Sequence, residues 1–181
     1  MKKDHRKLRR RPLFAPLLAP LLGGVIVVML LGVLWTAQSQ TTVILVRHAD
    51  IRETAQGTAG LSDTGVYRAK ALAGWLETSD LSRIYVSDYG PTRETAAPTA
   101  EVTGVAMIEI PADDLGGLVK TVGGLRGETV LIVGQAETLP GIIEALAGEK
   151  VVIEENDYSG LYIVTDSVLT RARLLEMRYG G

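Results

Sequence analysis

The chain has 181 residues, a length that suits one domain plus an appendage, with 46% hydrophobic residues, 22% charged residues and no cysteine. The lack of cysteine excludes disulfides, thiolate zinc sites, a cysteine nucleophile and a lipidated cysteine anchor. The first eleven residues carry seven basic side chains against Asp4, so within a total charge of −2 residues 12–181 hold −8. Such an acidic body argues against nucleic acid as a partner.

In chain order, residues 1–11 form a basic leader, and no charged residue occurs from Pro12 to Ala37. Leu21 to Trp35 is an unbroken run of apolar and glycine residues. Residues 12–37 therefore predict an N-terminal transmembrane helix, which needs roughly 20 apolar residues. Trp35 stands where an interfacial anchor would, and the basic leader places the N-terminus in the cytoplasm. The expected product is a membrane-anchored protein whose domain, residues 41–181, is exported to the periplasm or the extracellular side. The alternative is secretion after cleavage at the small-x-small site Ala37-Gln38-Ser39. The apolar segment is, however, longer than the roughly 7–15 residues of a signal-peptide core.

Val43 to Val46 reads as a strand buried on both faces, ending on Arg47 and His48. The loop from Asp50 to Gly60 lacks apolar periodicity. Ser62 or Asp63 caps a helix whose Val66, Ala69, Leu72, Ala73 and Leu76 share one face. Arg83 to Ser87 is a second strand, and Pro91 suits the first turn of the next helix. Pro98 is expected to kink or end that helix. Val105 to Ile110 is a third strand, followed by a helix over Asp113 to Leu125 broken at Gly116-Gly117. Glu128 to Val133 is a fourth strand, leading to a short helix carrying Ile142, Ile143 and Leu146. Leu161 to Val164 and Ala172 to Met177 are two closing strands at sheet-edge positions. Strand and helix alternate, so the fold class is α/β: a three-layer α/β/α domain around a mainly parallel sheet.

Three segments follow strands: Arg47-His48, Ser87 to Arg93, and Gly134 to Thr138. In a parallel sheet they meet at one edge, bringing two arginines and a histidine together. Guanidiniums and helix N-termini suit a phosphoryl dianion, and a neutral imidazole beside them can act as its nucleophile. His48 and His5 are the only histidines, so with no cysteine a metal enzyme is disfavoured and no cofactor is called for. No G-x-G-x-x-G follows the first strand, which removes a dinucleotide-binding reading.

Val46-Arg47-His48-Ala49 resembles the RH(G/A) signature of the histidine phosphatase superfamily, with its phosphoglycerate mutase-like fold. Leu61-Ser62-Asp63-Thr64-Gly65, with Arg68 and Ala69, is similar to that family's L(T/S)xxGxxQA element. Ser87 through Arg93, Thr95 and Ala96 resembles its S…RxxxTA segment, and Val130 to Leu146 its VLVVGHSNTxPxhhxxLxG segment, where h is apolar. The resemblance covers residues 42–180 and implies that His48 is the nucleophile, phosphorylated in turnover. It implies that Arg47 and Arg93 bind the phosphoryl oxygens, and that a carboxyl group, Asp113 or Asp114, with Asp50 as a further candidate, protonates the leaving oxygen. The Asp113-Asp114 pair reads equally well as a cap and first-turn charge on the following helix.

The family's second histidine falls at Gln135, with Ala136 and Glu137 in place of Ser-Asn. An amide can donate to a phosphoryl oxygen but carries no charge. Loss of one transition-state donor costs roughly 100- to 1,000-fold in rate. Glu137 weakens anion binding if it points inward, and is otherwise a solvated charge or a proton donor. Two expectations follow. One is a phosphomonoesterase working slowly through phospho-His48 on a small phosphorylated substrate. The other is a degenerate relative that binds phosphate, a phosphorylated ligand or a protein without turnover. The chain is too short to enclose a sugar-acid phosphate, which disfavours a mutase.

Overall fold

The computed structural model describes residues 15–37, 40–54, 57–167 and 170–180. It divides into two units, one ending at Ala37 and one beginning at Gln38. The first unit is helix α1 (Ala15–Ala37), apolar throughout and containing Pro20. Its large side chains from Leu21 to Leu34 are exposed. Among the described residues no helix is long and apolar enough to cross a membrane. The transmembrane helix expected over residues 12–37 is thus not supported. The basic leader and most of the cleavage site lie outside the described residues.

The second unit is built on β1 (Thr41–Arg47), β4 (Leu81–Ser87), β5 (Met107–Ile110) and β6 (Thr129–Gly134), all parallel. The closing pair, β7 (Gly160–Ser167) and β8 (Thr170–Arg178), adds antiparallel strands on the far side of β1, giving the order β5-β4-β6-β1-β7-β8. The mainly parallel α/β sheet is therefore as expected. Side chains alternate between its faces. Val43 and Leu45 pack with Val130 and Ile132 under α4 (Leu115–Gly123) and α5 (Leu139–Ala147). Ile44 and Val46 pack with Ile84, Val86, Leu131 and Val133 under α2 (Asp63–Leu76) and α3 (Gly90–Thr103). Both faces are covered, which is why β1 and β6 carry continuous apolar runs and β4 a shorter one from Ile84 to Val86.

Three local expectations change and one alternative is resolved. Residues 51–61 form a hairpin, β2 (Ile51–Thr54) against β3 (Gly57–Leu61), rather than a loop. Its short strands of threonine, glycine and charged residues have no alternating apolar pattern to read. Helix α3 runs through Pro98 and stops at Gly104, whose φ of 70° and amide bond to the Ala100 carbonyl form a left-handed cap. Gly116 and Gly117 open α4 rather than breaking it, because Asp114 is its cap and accepts from the Gly117 amide at 3.0 Å. Ser62, not Asp63, caps α2 by accepting from the Gly65 amide at 3.1 Å.

Candidate active site

Strand β1 pairs in register with β6, Arg47 opposite Gly134, and the His48 amide continues the ladder by donating to the Gly134 carbonyl at 2.9 Å. That bond sets His48 beside the turn Gln135–Thr138 at the carboxyl edge of the sheet, where an open parallel sheet presents ligands. Gln135 closes the turn: its carbonyl accepts from the amides of Thr138 at 3.2 Å and Leu139 at 3.1 Å. Two of the three segments expected to converge, Arg47-His48 and Gly134–Thr138, are therefore adjacent.

The His48 ring is buried, 5% exposed, with Nδ1 2.9 Å from the Ala49 carbonyl oxygen. A carbonyl only accepts, so Nδ1 carries the hydrogen and the neutral ring keeps its lone pair on Nε2. The Tyr89 ring lies edge-on to the imidazole at 5.4 Å and the Tyr158 ring is tilted against it at 5.8 Å. Burial lowers the His48 pKa below 6.5, and the Arg47 charge adds to this. The bond to Ala49 and the negative charges of Glu137 and Asp50 work in the opposite direction. The imidazole is thus held neutral, the state a nucleophile needs.

This has a consequence for stability. In the window between the folded value and 6.5 the unfolded chain binds a proton that the native chain refuses. His48 therefore makes the protein lose stability as pH falls through that window. From about pH 7 down to pH 5 the melting temperature of wild type is expected to fall further than that of His48→Gln; parallel curves would refute the point.

Arg47, also buried, donates through Nη1 to the carbonyls of Glu154 and Glu155, and its guanidinium lies 4.1 Å from the Tyr158 ring centroid. Its Nε is buried without a partner among the described residues. Arg93 is not brought to His48. On α3 the buried positions are Pro91, Thr92, Thr95, Ala96 and Thr99, and at 3.6 residues per turn Arg93 falls on the opposite side. Its half-exposed guanidinium pairs with Glu109 on β5 at 2.6 Å. In the R-x-x-x-T-A spacing the arginine stands four residues before the threonine, which in this chain is Pro91 before Thr95.

The remaining quoted residues build the frame around His48. Thr95 Oγ1 accepts from the Ala49 amide at 2.8 Å and donates to the Pro91 carbonyl at 2.7 Å. Glu94 accepts from the Leu61 amide at 2.9 Å. Arg68 Nε binds Asp50 at 2.8 Å, and its Nη1 reaches the carbonyls of Tyr179 and Gly180. Asp50 is thereby engaged, Asp114 is a helix cap, and Asp113 is exposed in the turn before α4. Sequence reasoning passed over Tyr89, Tyr158 and the Glu154-Glu155 carbonyls. No motif marks the last three, which reach the site from the connection between α5 and β7. Among the described residues no cluster of three potential metal ligands occurs.

The sheet order and its two helical layers define an α/β domain of phosphoglycerate mutase-like fold. Residues 43–113, from β1 to the turn after β5, match the histidine phosphatase superfamily, branch 1. No curated protein matches the sequence. Among solved structures, the chain is similar to the protein histidine phosphatase SixA complexed with tungstate, with 17% identity and a TM-score of 0.62 over 76% of this chain and 96% of that one. It is also similar to a phosphoglycerate mutase from Plasmodium falciparum, at 17% identity and TM-score 0.56 over 77% and 91% of the two chains. A mycobacterial glucosyl-3-phosphoglycerate phosphatase gives 14% identity and TM-score 0.57 over 75% and 97%. At these identities the likeness is one of fold.

Proposed function

We propose that the domain is a phosphomonoesterase of histidine phosphatase type that passes the phosphoryl group of a small phosphorylated substrate through His48. The observation that carries the reading is the neutral, buried imidazole at the end of β1, its Nδ1 tied to the Ala49 carbonyl. The Nε2 lone pair would attack phosphorus as the ester oxygen departs, and water would then release phosphate from phospho-His48. The buried Nε of Arg47, without a partner among the described residues, is a donor that a phosphoryl oxygen would satisfy. Turnover would be slow, because Gln135 stands where the family directs a second histidine and Arg93 is spent on Glu109. Gln135 together with Glu137 favours a second reading, binding of a phosphorylated ligand without turnover. We further propose export of the domain, on the strength of the basic residues ahead of the apolar segment.

The test is to trap the intermediate. The full chain is mixed with an aryl phosphate, quenched in base, which preserves a phosphoimidazole, and mapped by mass spectrometry. A phosphoryl group on His48, absent in His48→Ala, is the expected result. Phosphate-analogue binding with no label at His48 would favour the binding reading. Neither label nor binding would overturn both.

A further inference from the structure

The mechanism lacks the group that protonates the departing oxygen, and the carboxylates around His48 can be sorted by what already holds them. Asp50 is held by Arg68 at 2.8 Å. Asp114 is held by the Gly117 amide, and Asp88 accepts from the Ala112 amide at 3.3 Å. Glu94 accepts from the Leu61 amide, and Glu109 pairs with Arg93. Glu137 differs from all of these. It lies in the turn Gln135–Thr138 that the Gly134 carbonyl fixes beside the His48 amide, its side chain is exposed, and among the described residues no cation or amide holds its carboxyl. Its charge and that of Asp50 are the two carboxylate charges that act on the imidazole. Asp113, Glu154 and Glu155 are likewise exposed, and their charges are not among them.

We propose that Glu137 is the general acid of this site, delivering the proton that the leaving alcohol needs. The proposal rests on His48 being the nucleophile. As Nε2 bonds to phosphorus and the ester P–O bond breaks, the Glu137 carboxyl proton passes to the departing oxygen, giving a neutral alcohol and phospho-His48. In the second half, water attacks phosphorus and gives its proton to the Glu137 carboxylate. Phosphate leaves, and both residues return to their starting states. Residue 137 thus serves the proton transfers in a turn where Gln135 cannot titrate.

A general acid matters for a poor leaving group and little for a good one, which a structural role would not reproduce. The full chain and Glu137→Gln, an isosteric change at an exposed position, are compared at about pH 5 by the single-turnover rate of phosphoryl transfer to His48 from a nitrophenyl phosphate and from a simple alkyl phosphate, which isolates the first half-reaction. The expected result is a loss of about 100-fold or more on the alkyl ester, with the nitrophenyl ester changed by no more than roughly threefold. Equal losses on both esters, or an unchanged alkyl rate, would overturn the proposal while leaving the phosphatase reading intact. A wild type that hydrolyses the nitrophenyl ester and not the alkyl ester would do the same. A wild type silent on both, with no label at His48, would overturn the proposal and the phosphatase reading together.

Discussion

Gln135→His is expected to raise the turnover of an aryl phosphate by about 100- to 1,000-fold. Gln135 is the first residue past β6, one position beyond the carbonyl that accepts from the His48 amide. A side chain at this position therefore starts next to the nucleophile. The glutamine amide is a neutral donor, whereas an imidazolium adds charge to the hydrogen bond as negative charge builds on the phosphoryl oxygens. The binding of phosphate should change less than kcat, because the gain is concentrated in the transition state. Steady-state rates for wild type, Gln135→His and the double variant His48→Ala/Gln135→His decide the matter. The double variant is expected to be silent. Activity retained in it would place the chemistry elsewhere than at His48, and an unchanged Gln135→His would mean that the phosphoryl group does not meet residue 135.

Gly65→Ala is the second large effect, and it acts on the frame rather than on the chemistry. A Cβ at Gly65 would sit 2.1 Å from the backbone oxygen of Asp50, so the chain leaving His48 would have to move. That oxygen also accepts from the Ser62 amide at 2.9 Å, and the Asp50 carboxylate holds Arg68. The disturbance therefore spreads to the Arg68 bonds with the C-terminal carbonyls. A loss of about 3 kcal/mol is expected, and with it a Tm lower by roughly 10 °C. Gly74→Ala is the control: it lies in the same helix with nothing within 4 Å of the added carbon. It should raise stability by roughly 0.5–1 kcal/mol through helix propensity and unfolded-state entropy. Equal melting points for the two variants would show that the contact of α2 with Asp50 carries no constraint.

These two positions mark what kinds of information the chain carries. By itself the sequence determined the alternation of strands and helices, because runs such as Val43–Val46 and Val130–Val133 admit only burial on both faces. It determined that the one histidine of the domain stands at a strand end, since β1 stops where the apolar run does. It also named Gly65 and Thr95 as part of a pattern, though not why they belong to it. Only the tertiary structure decided that Gly65 makes room for the Asp50 carbonyl, and that Thr95 holds the Ala49 amide 46 residues away. Likewise, Arg47 meets carbonyls more than 100 residues on, and Arg68 captures the aspartate nearest the nucleophile. Such partners are chosen by packing between distant segments, to which a period of 2 or 3.6 residues is blind. The turn of α3 sent Arg93 toward Glu109. The β1–β6 ladder fixed the turn that carries Glu137 beside His48, where the strand-end reading had placed it.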